Sequence, residues 1–395
     1  MHEAVILSAT RTPIGSFHGA FRDIPATSLG STAIAASLRR AGLRQDQVDE
    51  VIMGCVLSAG VGQAPARQAA LGAGIPNATP ATTVNKVCGS GLKAVIMAAQ
   101  SIALGQTRTA VAGGMESMSR TPYLLPRNHA GTRLGDLAAV DGLLKDGLWD
   151  VYEDISMGVA VERYAQQCHF SREELDDYAI ESYRRVREAR AAGRFEAEVE
   201  PVSVSTVKEQ RLVRDDEEPE RLDIDKMRKL KPAFTKDGML TAGNSTSCND
   251  GAAAIVLMAE DAARLAGLEP LVRIRGYAEA GVPPALFAMA PVEATKRALA
   301  MAGLTIEDID LFEINEPFSA AAIGVVRTLG LDPTRVNVNG GAIALGHPIG
   351  ATGARILTTL VHAMCAHNVS LGLATLCIGG GEAAAIVVER ERVAG

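Results

Sequence analysis

The sequence predicts an α/β fold of two similar halves around a long insertion, and three observations carry that expectation. Strand-like and helix-like segments alternate through residues 1–118, which implies crossover connections and a buried, largely parallel or mixed sheet. The same alternation returns in matching order over residues 269–395. Between them, residues 119–249 break the pattern and read as an inserted loop subdomain, since structureless loops of that length are rare in compact folds. Residues 250–268 then complete the first half.

Taken in order, residues 4–8 form a short apolar strand, 28–41 a helix capped by Ser28 and stopped at Gly42, and 50–55 a second strand. Residues 64–71 read as a short helix carrying Arg67. An extended run, 81–85, leads through Cys88 into a helix where Leu92, Val95, Ile96, Ala99 and Ile102 recur at helical spacing until Gly105. Residues 109–113 are the next strand. Inside the insertion, 121–147 is rich in Gly, Pro and Arg, and 171–193 is a charged amphipathic helix headed by Ser171-Arg172-Glu173-Glu174. Residues 208–231 are dense in both signs of charge. A strand at 252–258 and a helix at 260–266 restore regularity.

The second half answers the first. Residues 272–277 match the opening strand, 291–302 the early helix and 310–314 the strand at 50–55. The run 336–339 with its glycine turn matches 83–91, and the helix 351–365 matches the helix after Cys88. Residues 372–376 and 383–389 match 109–113 and 252–258. Two matched halves place one site between them.

Composition narrows the class. The chain has 395 residues, 47% hydrophobic and 22% charged, ample for a large core and more than one domain. A net charge of -7 argues against a general nucleic-acid binder. The N-terminal residues show no basic n-region or apolar h-region, and no uninterrupted apolar stretch of bilayer length is evident, so a cytoplasmic location away from membranes is expected. Cys55, Cys88, Cys168, Cys248, Cys365 and Cys377 show no paired short spacing, so neither a metal site nor a disulfide framework is expected.

The chemistry concentrates in glycine-rich loops that follow strands. Cys88 lies at a strand-to-helix junction, where backbone N–H groups and the positive end of the helix dipole favour a thiolate. Free cysteines are mostly small buried hydrophobes, so this stretch alone leaves a nucleophile and a packing residue both open. His347, in Gly346-His347-Pro348, occupies the equivalent turn of the second half, where the repeat allows it to serve as a base across the pseudo-dyad, although a Gly-His-Pro turn on its own is more often structural. Cys377 sits between a strand end and Gly379-Gly380-Gly381, where backbone N–H groups form an anion-binding concavity. Two cysteines and a histidine so arranged suit a covalent acyl carrier with a separate acid/base, as in Claisen condensation of thioesters. His2, His18, His129, His169, His362 and His367 are expected to be surface or satisfied side chains.

Together with Asn315-Glu316-Pro317-Phe318, these segments resemble the thiolase family, close to its acetyl-CoA acetyltransferase branch, from Ala4 to the C-terminus. The resemblance implies two mixed sheets in a five-layered α/β/α/β/α sandwich. It also implies that Cys88 carries the acyl group, His347 activates Cys88, and Cys377 removes the α-proton of a second acyl-CoA. Asn315 would hold a water that binds the enolate oxygen together with His347, and the N–H groups of Cys88 and Gly379 would form a second oxyanion hole. Pro317 stands where the family usually has alanine.

For coenzyme A, the resemblance points to Arg221 and Lys226 at the nucleotide end and to Thr246, where serine is usual, at the pantetheine arm. Met157 and Met289 would close the acyl pocket, with Ser156 where the acetoacetyl pattern has histidine, and Phe318 would be a further substrate contact. The implied partners are acetyl-CoA, CoA and 3-ketoacyl-CoA, with coenzyme A thioesters as substrates, no separate cofactor, and a homotetramer formed through the 121–147 region. The alternatives are a broad-range degradative 3-ketoacyl-CoA thiolase, a one-way ketoacyl synthase, which would lack Cys377, and an inactive CoA-binding scaffold.

Overall fold

Strand β1 (Ala4–Arg11) is buried along its whole length and divides its side chains between two cores, Val5 and Leu7 on one face, Ile6 and Ala9 on the other. A strand of this kind needs cover on both sides. In this computed structural model, which describes residues 2–125, 136–205 and 210–391, that cover comes from helices on each face.

The first half continues with α1 (Ala26–Arg40), β2 (Glu50–Gly54), α2 (Pro65–Gly72), β3 (Ala81–Val84), α3 (Ser90–Ala103) and β4 (Thr109–Ser117). The insertion carries α4 (Met157–Gln167), α5 (Arg172–Ala191) and a hairpin of β5 (Val202–Ser205) and β6 (Gln210–Val213), after which β7 (Asn249–Ala259) returns to the first sheet. The second half has β8 (Val272–Gly281), α6 (Ala290–Ala302), β9 (Leu311–Ile314), α7 (Ser319–Leu329), α8 (Ile349–His367), β10 (Leu371–Ile378) and β11 (Glu382–Glu389).

The main strand order is β9-β10-β11-β8-β1-β7-β4-β2-β3. The expected two sheets are thus joined edge to edge, because β1 and β8 share a short antiparallel ladder, Val5 opposite Arg273 and Ile6 opposite Val272. Three cores define five layers. One lies between α1, α2 and the first sheet, one between the second sheet and α6 and α7, and the largest in the middle, where α3 and α8 pack between both sheets. Burying a Leu or Ile side chain there is worth roughly 1.5–3 kcal/mol, so the central pair of helices anchors the fold.

Several local expectations change. Helix α1 begins at Ala26 after Pro25, whose fixed φ suits a helix entry, and Ser28 lies inside the first turn instead of capping it. Ser171 does cap α5, accepting from the Glu174 N–H. Residues 336–339 do not form a strand. One parallel bridge remains, Val336 beside Phe312 with Asn337 N–H donating to Phe312 C=O (2.9 Å), and then Asn337, at φ +46, continues the pairing with its side-chain amide, which bonds both Ile314 N–H (2.8 Å) and Ile314 C=O (2.9 Å). Helix α8 is long and apolar enough to cross a bilayer by length and composition, although Arg355 interrupts its apolar run. Its apolar window is 83% buried within the protein as part of the central layer. His129 and part of the 121–147 region lie outside the described residues.

Candidate active site

The turn between β3 and α3 presents Cys88. The Asn85 side chain accepts from Val87 N–H (3.1 Å), while the Ser90 hydroxyl accepts from Lys86 N–H (2.8 Å) and donates to Val87 C=O (2.7 Å). These bonds hold Val87 at φ +45, a costly conformation for a β-branched residue, and the strain sets the exit angle of Cys88. A Cβ on Gly89 would run into the side chain of Ile378, so the turn lies against the end of β10, which carries Cys377.

His347 is held from two sides. Asn249 accepts from its backbone N–H (2.8 Å), and its Nδ1 lies 2.6 Å from the Thr352 hydroxyl. That hydroxyl donates its proton to Pro348 C=O (2.9 Å), so it accepts from His347, whose proton is on Nδ1. Nε2 is left with a free lone pair. Glu116 fixes the surrounding loops by accepting from the N–H groups of Val56, Leu57 and Gly350 at 2.9–3.1 Å.

Cys88, His347, Cys377 and Gly379 line one cavity of about 380 Å³, walled mostly by apolar side chains such as Leu148, Met157 and Phe287. Burial pushes the Cys88 thiol up to about 11, with Glu116 adding repulsion, against the pull of the Gly379 N–H and its own N–H on the sulfur. The expectation of a ready thiolate is therefore corrected: desolvation outweighs the helix terminus. Burial, and then the charge of Arg355, lowers His347 to about 3, so its imidazole is neutral. Burial and the neighbouring Cys88 sulfur also raise Cys377. A neutral base beside a protonated thiol can transfer the proton as attack occurs, and two N–H groups at that sulfur can hold an oxyanion.

Comparison with known proteins decides the family. Residues 4–261 match the family model "Thiolase, N-terminal domain" and residues 268–390 match "Thiolase, C-terminal domain". The chain belongs to the thiolase family. It is 52% identical to an Escherichia coli acetyl-CoA acetyltransferase over 392 residues, covering 99% of this chain and 100% of that one. It is 50% identical to a Pseudomonas aeruginosa acetyl-CoA acetyltransferase over 393 residues, with coverage of 99% and 100%. Among solved structures it resembles the Acat5 thiolase from Ascaris suum in complex with coenzyme A (TM-score 0.93, 45% identity, 98% and 100% coverage). It also resembles the Bacillus anthracis acetyl-CoA acetyltransferase (TM-score 0.96, 39% identity, 98% and 99% coverage).

Within this thiolase cavity the structure also brings together Ser156, Met157, Thr246 and Phe318. Ser156 caps α4, accepting from Val159 N–H, and Thr246 donates its hydroxyl proton to Ala342 C=O (2.7 Å). Pro317 ties this loop to the expected pantetheine segment through its carbonyl, which accepts from Thr246 N–H (3.0 Å). Four residues fall elsewhere. Met289 sits behind the wall, its sulfur accepting from the Tyr164 hydroxyl (2.9 Å), and Phe287 takes its place at the cavity. Arg221 and Lys226 are exposed and pair with Glu218 and Asp223, neighbours on their own turns. Asn315 is buried just outside the cavity lining.

Sequence reasoning missed Phe234, Phe287 and Cys248 in the lining and Thr352 behind His347. Thr352 was legible in principle, one turn beyond Pro348 on the helix that the histidine turn enters. Phe234 had no such signal; it reaches the cavity because Gly158 leaves room for its ring.

Proposed function

We propose that this thiolase is an acyltransferase that condenses two acetyl-CoA to acetoacetyl-CoA plus CoA and, in reverse, thiolyses short 3-ketoacyl-CoA. The observation that carries this reading is the convergence of Cys88, a neutral His347, Cys377 and the Gly379 N–H on one narrow apolar cavity. The names of the relatives and the coenzyme A bound in one structural neighbour support it. His347 Nε2 takes the Cys88 proton as the sulfur attacks the thioester carbonyl, and the N–H groups of Cys88 and Gly379 receive the oxyanion. CoA then leaves with that proton, giving acetyl-Cys88. In thiolysis, Cys377, kept protonated by burial, gives its proton to the departing enolate. Condensation is the reverse: once the Cys377 proton has passed to His347, the Cys377 thiolate removes the α-proton of the second acetyl-CoA, the enolate attacks acetyl-Cys88, and His347 returns the proton to the departing Cys88 sulfur, with Asn315 holding the water that faces the enolate oxygen.

In this proposal the pantetheine arm runs past Thr246 and the nucleotide lies toward the exposed face that carries Arg221 and Lys226. Exposed Tyr123, Leu137, Val140, Val151 and Tyr152 favour assembly through this part of the insertion, in keeping with a cytoplasmic homotetramer.

Met157, Leu148 and Phe287 close the acyl end, so one or two methylenes beyond acetoacetyl-CoA should gain about 0.8 kcal/mol each before further length clashes. Measuring kcat/KM for thiolysis from four to sixteen acyl carbons tests this. Acetoacetyl-CoA should be a good substrate, 3-ketohexanoyl-CoA accepted and long chains poor. A maximum at eight carbons or beyond would make the enzyme a broad-range degradative thiolase.

A further inference from the structure

Glu313, Asn315 and Arg355 are each almost wholly buried, yet among the described residues none of their seven side-chain nitrogen and oxygen atoms has a hydrogen-bond partner within the protein. They share one region. Phe312 and Ile314 point into the outer core, which turns Glu313 and Asn315, two residues apart on β9 and its continuation, toward the central layer where α8 runs. There the Arg355 guanidinium lies 3.7 Å from a Glu313 carboxylate oxygen, too far for a direct hydrogen bond. Arg355 stands three residues beyond Thr352, and its charge is felt at His347.

Other partners are already engaged. Glu198, the next acid near Arg355, accepts from Arg11 (2.6 Å) and Thr359 (3.2 Å), and Glu316 accepts from Tyr178, Ser182 and Asn337. A buried group left without a partner loses its hydration with nothing in exchange, and three such side chains together would consume much of a fold's marginal stability. A polar space with several donors and acceptors is where internal water resides. Burial pushes the Glu313 carboxyl up to about 8, with Arg355 pulling it back, so in either protonation state it needs a hydrogen-bonding neighbour.

We propose that Glu313 and Arg355 hold a buried water cluster that fixes the side-chain amide of Asn315, making both of them positioning residues for the enolate step. The proposal rests on the thiolase mechanism above, in which Asn315 serves the enolate and not the acylation of Cys88. It predicts that the two steps separate when the cluster is removed without leaving a lone buried charge.

The test replaces both members, Glu313→Met with Arg355→Met, since exchanging a buried ion pair for apolar side chains of similar volume often preserves stability. Two rates are read on the purified enzyme: acetylation of Cys88 by acetyl-CoA, and exchange of the acetyl-CoA α-protons with deuterium. The wild-type enzyme doing both establishes the underlying mechanism independently of the variant. The expected result is a melting temperature no lower than that of the wild type, acetylation within about twofold, and exchange slowed at least tenfold. Equal slowing of both steps, or of neither, overturns the proposal. A high-resolution structure of the wild-type protein decides it even if the variant does not fold. Ordered water bridging Arg355 or Glu313 to the Asn315 amide is expected, whereas a direct Glu313–Arg355 hydrogen bond with Asn315 packed against apolar atoms contradicts it.

Discussion

Cys88 and His347 face the substrate as an uncharged pair, and this has a measurable consequence. The thiol, raised to about 11, is protonated at neutral pH, and the imidazole, lowered to about 3, is neutral at every pH above that. Below its pKa the thiolate fraction grows tenfold per pH unit, so alkylation of Cys88 by iodoacetamide should climb by about that factor per unit up to roughly pH 10. A plateau beginning near pH 6 would instead reveal a thiolate–imidazolium pair. Thr352 bears on the same chemistry, because it keeps the proton on Nδ1 and Nε2 available. Thr352→Val removes that constraint and should lower kcat about tenfold, about 1.4 kcal/mol of transition-state stabilisation, with KM little changed. Steady-state thiolysis kinetics measure it; an unchanged kcat would mean that the turn alone sets the tautomer.

Helix α4 shows how an element shapes the cavity. Ser156 caps it, Met157 enters the lining, and Gly158 presents bare backbone to the ring of Phe234, which stacks edge-on against Phe318 (centroids 5.7 Å apart). A methyl group at Gly158 overlaps several ring atoms and must push Phe234 toward the substrate. Alanine is the better helix former by about 1 kcal/mol, but overpacking of this kind typically costs about 1–3 kcal/mol and dominates. Gly158→Ala should therefore raise KM severalfold and lower the melting temperature. Unchanged KM and a higher melting temperature would show that the ring moves away freely. Asn337 illustrates the opposite case, where a strand expected from alternation shrinks to one bridge at Val336: beyond it, the Asn337 side-chain amide satisfies Ile314 in place of a backbone ladder. Apolar alternation at 336–339 could not reveal this, since the substitution depends on one residue adopting a left-handed backbone.

At the scale of the whole molecule, duplication accounts for most of what was legible. The repeated strand and helix pattern pointed to two matched halves with one site between them and paired α3 with α8, while the two sheets in five layers came from the family resemblance; in the structure α3 and α8 form the middle layer that covers both sheets. Edge-to-edge joining at β1 and β8 was not legible, as it depends on how the halves approach and leaves no periodicity. Cys88, His347, Cys377 and Gly379 were legible because each lies in a glycine-rich loop at a strand end, and the duplication brings those loops to one place. The wall residues Phe234 and Phe287 were not, since an aromatic side chain in an irregular segment gives no sign of the face it meets. The central claim is that Cys88 carries the acyl group. Incubation of the intact protein with acetyl-CoA alone, followed by mass measurement and peptide mapping, tests it most directly. One acetyl group per chain on Cys88, abolished in Cys88→Ser and retained in Cys377→Ala, is the predicted result; a label on Cys377, or one that survives Cys88→Ser, would contradict the account.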